Sequence, residues 1–123
     1  KRNYNHKLFL KNLRGDIFFK NFNLAGSSNY GLHLILKRKN KKLFKKVLKI
    51  LDINLIEYRI GSAGGGNQLR QPYLKKFKNK FKANKFYNTE HMHFYSLYIG
   101  NYPELSKSKI INLCKLLDNI KLN

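Results

Sequence analysis

The sequence predicts an α/β fold: a roughly three-stranded sheet, at least partly antiparallel, with helices mainly on one face. Three observations predict it. Residues 30–36 alternate, with Tyr30, Leu32, Leu34 and Leu36 on one side and Gly31, His33 and Ile35 on the other, which is the period of a strand. Residues 42–51 then carry Phe44, Val47, Leu48 and Leu51 at helical spacing, and 54–60 alternate again through Ile56, Tyr58 and Ile60. That β-α-β order implies helices layered on a sheet. A last helix, 107–120, bears the stripe Ile110, Leu113, Cys114, Leu117 and Ile120 behind Ser106, a residue suited to capping.

The remaining elements follow in chain order. Residues 1–13 read as a helix with Phe9, Leu10 and Leu13 inside and Lys1, Lys7 and Lys11 outside, and Gly15 stops it. Residues 16–28 lack a clear period, and Gly26, Ser27 and Ser28 mark a turn. A basic turn, 37–42, links the first strand to its helix. Residues 61–72 read as a loop, because four of the six positions 61–66 are glycine and each loses extra backbone entropy when fixed. In 73–86, Tyr73, Phe77 and Phe81 are spaced by four, which predicts a short helix burying the rings and leaving Lys75, Lys76, Lys78, Lys80 and Lys82 in water. Residues 89–95 read as a helix running into a strand at 96–99.

A chain of 123 residues supports one domain with one core. No apolar run approaches the roughly 18 residues of a membrane span, and no secretory leader is visible. A lone cysteine, Cys114, has no internal disulfide partner, so a cytoplasmic setting is expected. The chain opens on Lys1, inside a helical pattern, and a piece of a longer protein is expected. The net charge of +20 proposes a polyanion partner. Its makeup argues otherwise: 21 Lys stand against 5 Arg, with 16 Asn, whereas base reading and phosphate clamping favour the planar fork of arginine. Most of the charge therefore reads as solvated surface. A stand-alone basic nucleic-acid-binding module is kept as the alternative.

The glycine-rich loop is the best candidate for binding chemistry. Glycines let a ligand approach the backbone, and consecutive N–H groups cradle anions. Asn67, Gln68, Arg70 and Gln71 follow directly with amide and guanidinium groups suited to hydroxyl and phosphate oxygens. Established phosphate signatures do not fit, since Gly66 is followed by Asn67 where a Walker loop needs lysine, and a dinucleotide pattern needs glycine where Leu69 stands. His91 and His93 lack the further ligands of a zinc site, so no metal is expected. Ser106 and Lys109 match Ser-x-x-Lys by letter only, where a helix needs a cap. The six acidic residues form no obvious acid/base pair, and no catalytic residue is assigned.

The run Arg59-Ile-Gly-Ser-Ala-Gly-Gly-Gly-Asn-Gln-Leu-Arg-Gln-Pro-Tyr73 resembles the small-domain loop of the DegT/DnrJ/EryC1/StrS family of pyridoxal-phosphate-dependent sugar aminotransferases. It looks closest to the branch with a Gly-Asn-x-x-Arg-Gln-Pro segment, which includes sugar 3-dehydratases. The run Phe94-Tyr-Ser-Leu-Tyr-Ile-Gly-Asn-Tyr-Pro-Glu-Leu105 resembles that branch's next landmark, and 26–34 resembles the family's first small-domain strand. The resemblance implies the C-terminal small domain of a fold-type-I enzyme, an α+β domain spanning 1–123, with the large domain that holds pyridoxal phosphate lying before it. It implies a transferase or dehydratase of keto-sugar nucleotides, for surface polysaccharide or deoxyamino-sugar biosynthesis, acting as a cytoplasmic homodimer. Its partners would be the nucleotide-sugar substrate and the N-terminal large domain, with no membrane. Neither the Schiff-base lysine nor the histidine that replaces it in some dehydratases is expected here, so the isolated chain is expected to be inactive. By the same resemblance Gly66, Asn67, Gln68, Arg70 and Gln71 contact substrate, with Arg70 on an anionic group, and Arg59, Tyr98, Asn101 and Tyr102 support the pocket. Residues 59–73 and 94–105 are thus expected to wall a single pocket.

Overall fold

The fold is described from a computed structural model, for residues 1–63, 66–77 and 80–121. Its elements are α1 (Arg2–Asn12), β1 (Gly31–Ile35), α2 (Lys41–Ile53), β2 (Arg59–Ile60), α3 (Tyr87–Tyr95), β3 (Ser96–Gly100) and α4 (Lys107–Asp118). Short 3-10 turns at Gly61–Ala63, Gln68–Arg70, Pro72–Phe77 and Ala83–Lys85 carry the chain from β2 to α3.

The three strands lie in the order β1-β3-β2, and β3 runs antiparallel to both neighbours. This is the α+β arrangement: β1, α2 and β2 follow one another in sequence, but a strand arriving later fills the gap between the two. The register sets Leu32 opposite Ile99 and Leu34 opposite Leu97. Because side chains alternate across a strand, these four share one face, and all are buried. Gly31, His33, Tyr98 and Arg59 fall on the other face.

The helices cover the leucine face. Phe9 and Leu13, Val47 and Leu51, and Ile110, Leu113, Cys114 and Leu117 join the strand residues in one continuous core. Ser106 caps α4, its Oγ accepting from the Lys109 amide at 3.3 Å. Asn40 caps α2 by accepting from Leu43 N at 2.9 Å. Burial pushes the Cys114 thiol up to about 11, so at neutral pH it is a packing group and no nucleophile.

Three expectations change. Residues 54–58 are not strand: α2 continues to Ile53, and Leu55 then turns the chain with φ of 52°. The aromatic stretch is two 3-10 turns rather than one helix, and Tyr73, Phe77 and Phe81 are 65%, 41% and 45% exposed. With no regular period to align them, their spacing of four gives no common buried side. On α1 the buried face also includes Asn5 and His6, since Asn5 Nδ2 donates to the carbonyls of Tyr102 (3.3 Å) and Leu105 (3.5 Å).

Candidate functional site

The glycine-rich loop is built on close backbone approach. Gly61 holds φ at +48°, a conformation side chains resist. The Gly66 amide donates to the Gly61 carbonyl at 2.7 Å, closing the loop on itself. Gly64 and Gly65 lie outside the described residues.

Beyond the closure, every polar group of Asn67 has a partner. Its backbone N–H donates to His93 Nδ1 (3.0 Å), its Nδ2 donates to Glu90 Oε1 (2.6 Å) and to the Ala83 carbonyl (3.2 Å), and its Oδ1 accepts from Leu69 N (3.0 Å). The residue is correspondingly buried. Arg70 grips Glu90 with two parallel bonds, Nε to Oε1 at 2.8 Å and Nη2 to Oε2 at 2.6 Å. Its guanidinium lies 4.6 Å from the centroid of the Phe94 ring, a favourable cation–π contact. Gln68 Oε1 accepts from the Tyr73 hydroxyl at 2.6 Å.

These contacts tune the charges. Hydrogen bonding to Arg70 holds the Glu90 carboxyl below its usual range against the opposing effect of burial, with Asn67 helping. The same bond raises Arg70. Burial, aided by the Arg70 charge, lowers His93, which suits a neutral ring whose Nδ1 accepts the Asn67 N–H.

Two clefts bear on the candidate residues. The larger, about 750 Å³, is lined by Arg59, Tyr98 and Tyr102 together with Tyr58, Leu113 and Leu116 among others. The smaller, about 360 Å³, is lined by Leu69, Arg70, Phe81, Lys82, Ala83 and Asn84. The structure therefore brings Arg59, Tyr98 and Tyr102 to one cleft and Arg70 to another. Gly66, Asn67, Gln68 and Gln71 line neither of these two. Asn101 is interior: its Nδ2 donates to the carbonyls of Arg2 (3.0 Å) and Asn29 (2.7 Å), and its amide donates to Tyr30 O (2.8 Å). It ties α1 and the start of β1 to the end of β3.

Glu90 organises the loop, and sequence reasoning gave it no such part. One signal was present: between Glu57 and Glu104 it is the single acidic residue in a lysine-rich stretch. His91 serves the fold, its Nε2 lying 2.6 Å from the Leu36 carbonyl.

No protein-family model and no curated protein matches the chain. Among solved structures it is similar to GDP-4-keto-6-deoxymannose-3-dehydratase, crystallised with a trapped PLP-glutamate geminal diamine, with a TM-score of 0.66 and 21% sequence identity. The match covers 94% of this chain and 30% of that one. The chain thus has the α+β fold of a portion of that dehydratase, less than a third of its length.

Proposed function

We propose that the chain is the substrate-closing small domain of a pyridoxal-phosphate-dependent enzyme of the DegT/DnrJ/EryC1/StrS type, acting on a nucleotide-linked keto sugar. The observation that carries this is the fold shared over 94% of the chain with a sugar 3-dehydratase. The loop segment 59–73 and the segment 94–105 support it from the sequence side. On this reading a cofactor-holding domain and a second copy complete a cytoplasmic enzyme. Dehydration at carbon 3 is preferred to amination because the similar structure is a dehydratase.

The described residues do not form a cofactor site of their own. Arg70 engages Glu90 through Nε and Nη2, and Cys114 is buried. The cofactor supplies the electron sink for such chemistry. This chain's part is to bind and exclude water: Glu90, Asn67 and His93 hold the loop rigid, and Arg70 is presented on it with fixed orientation. Positioning of this kind is how a closing domain contributes to rate.

The test is isolation of the native protein with an antibody to this chain. A longer polypeptide with pyridoxal-phosphate absorbance, consuming GDP-4-keto-6-deoxymannose in the presence of glutamate, is expected. A product lacking the 3-hydroxyl identifies dehydration, and one gaining an amino group identifies transamination. The isolated 123-residue chain is expected to show no turnover. A native protein that neither carries nor takes up pyridoxal phosphate overturns the proposal.

One observation favours the second reading, a single-stranded nucleic-acid surface. The rings of Tyr73, Phe77 and Phe81 are exposed, and Lys76 and Lys80 lie 5.2 and 5.6 Å from the centroids of Phe77 and Phe81. Exposed rings between cations stack bases without regard to sequence. Micromolar binding of an oligonucleotide at physiological salt, with a steep salt slope, selects this reading.

A further inference from the structure

We propose that the outward face of α2, with Ile53 and Leu55 at its end, lies against the surface of an anionic lipid bilayer. This face is the same whichever reaction the whole enzyme performs. The family resemblance implies no membrane, and no helix among the described residues is long and apolar enough to cross one. The contact is therefore peripheral.

Charge is concentrated here rather than spread. Lysine and arginine make up 26 of the 123 residues of the chain but eight of the thirteen in 37–49. No acidic residue falls between Asp16 and Asp52. The turn 37–39 and the helix lysines Lys41, Lys42, Lys45, Lys46 and Lys49 are exposed, and none of these cations is in a salt bridge among the described residues. At about 3.6 residues per turn the five helix lysines share an arc of about 140°. Leu43, Val47 and Leu51 lie opposite, buried in the core. Asp52 is the one carboxylate on the lysine arc, and it accepts from the Tyr58 hydroxyl at 2.9 Å.

A cationic cluster of this size on an amphipathic helix is drawn to the negative potential of a lipid leaflet. Seven of the eight cations are lysine, a compact hydrated charge suited to a diffuse field of headgroups, whereas clamping of single phosphates favours arginine. Stable anchoring needs a second signal besides charge, and here it is aliphatic. Ile53 falls within the lysine arc and is 69% exposed. Leu55 follows it, 94% exposed with φ of 52°. A leucine held in a strained conformation where it packs against almost nothing is an outlier that points to an outside contact, and the acyl boundary of a bilayer buries both side chains. Nucleic acid fits this face less well. Single strands stack on exposed rings, and Phe44, the one ring of α2, packs against the core beside Tyr95.

The experiment mixes the protein with vesicles of phosphatidylcholine alone, or of phosphatidylcholine with phosphatidylglycerol, and reads the bound fraction by co-flotation. Binding to the anionic vesicles alone is expected, falling as salt rises. Lys41→Gln, Lys45→Gln and Lys49→Gln combined weaken it on the order of a hundredfold. Lys1→Gln, Lys7→Gln and Lys11→Gln combined remove the same charge from α1 and cause a far smaller loss. Leu55→Asn, a residue that tolerates the left-handed turn, weakens binding about tenfold, the lower end for burying a leucine, and leaves the salt dependence unchanged. All the substituted side chains are exposed, and an unaltered far-ultraviolet spectrum verifies that each variant is folded. Failure to bind anionic vesicles at physiological salt overturns the proposal. So does an equal loss in the α1 variant, which makes the attraction one of net charge, or an unchanged affinity in Leu55→Asn. An oligonucleotide that binds through the same lysines while the vesicles stay free also overturns it.

Discussion

At Gly66 an added Cβ would lie 2.4 Å from His93 Nδ1 and 2.7 Å from the Gly61 carbonyl oxygen. One of these is backbone, so the loop has to open for any larger residue. Gly66→Ala is expected to cost about 2 kcal/mol, on the scale of overpacking, read as a lower urea midpoint at unchanged slope. The sequence marked this stretch as a loop from its glycines, yet it could not say which glycine is obligatory. That depends on His93, brought from 27 positions away by α3. The histidines also set a pH dependence. His6, His33 and His93 are all lowered by burial, so below about pH 6.5 the unfolded chain binds protons that the folded chain refuses. Their contribution is whole above that pH and is lost as pH falls. Glu90, held low by Arg70, adds a loss in the carboxylate range. Calorimetry should show a level Tm from pH 8 to 7 and a steady fall below about 6.5. His93→Gln, whose amide oxygen can accept the same N–H, should flatten part of that fall. A Tm that rises on acidification would contradict the account.

The end of α2 shows how an element stops without the residue that usually stops it. Ile56 N donates to the Leu51 carbonyl (2.9 Å) and Leu55 N to the Asp52 carbonyl (3.1 Å), the paired closure of a Schellman motif. Glycine usually fills the left-handed position, and here it is Leu55, with φ of 52° and 94% exposed. Because Leu55 buries almost nothing, Leu55→Gly should stabilise the chain by about 1 kcal/mol, relief of the left-handed strain exceeding the entropy a new glycine adds to the unfolded chain. Chemical denaturation of the pair measures it. A helix stop spelled with leucine is hard to read, which is why 54–60 looked like a full strand and only Arg59–Ile60 pair. Where the apolar spacing was long and bounded by a cap, as in α4 behind Ser106, sequence and structure agree closely. Where spacing was short and the intervening residues basic, as in 73–86, periodicity misled, because 3-10 turns lack the 3.6-residue repeat that makes it meaningful.

At the scale of the molecule, the sheet and its helical cover were legible because burial repeats in the sequence. The grouping of the site residues was not, because it depends on where loops cross. Arg59 and Tyr98 are register partners on β2 and β3, while Arg70 is turned toward Glu90 on α3. The first motif segment is thus split: its Arg59 joins Tyr98 and Tyr102 of the second segment at one cleft, while its Arg70 opens onto another. The strand order carries a further consequence. The strand partners of β1 and of β2 all lie within 96–100, so apart from the short contact of β1's end with Phe18 and Phe19 neither outer strand can build its ladder until the middle strand exists. During synthesis, about four-fifths of the domain must leave the ribosome before any sheet can zip together. Until then the leucine face of β1, Leu32 and Leu34, lacks its neighbours Ile99 and Leu97, so a nascent chain stalled ahead of Ser96 is expected to expose apolar surface.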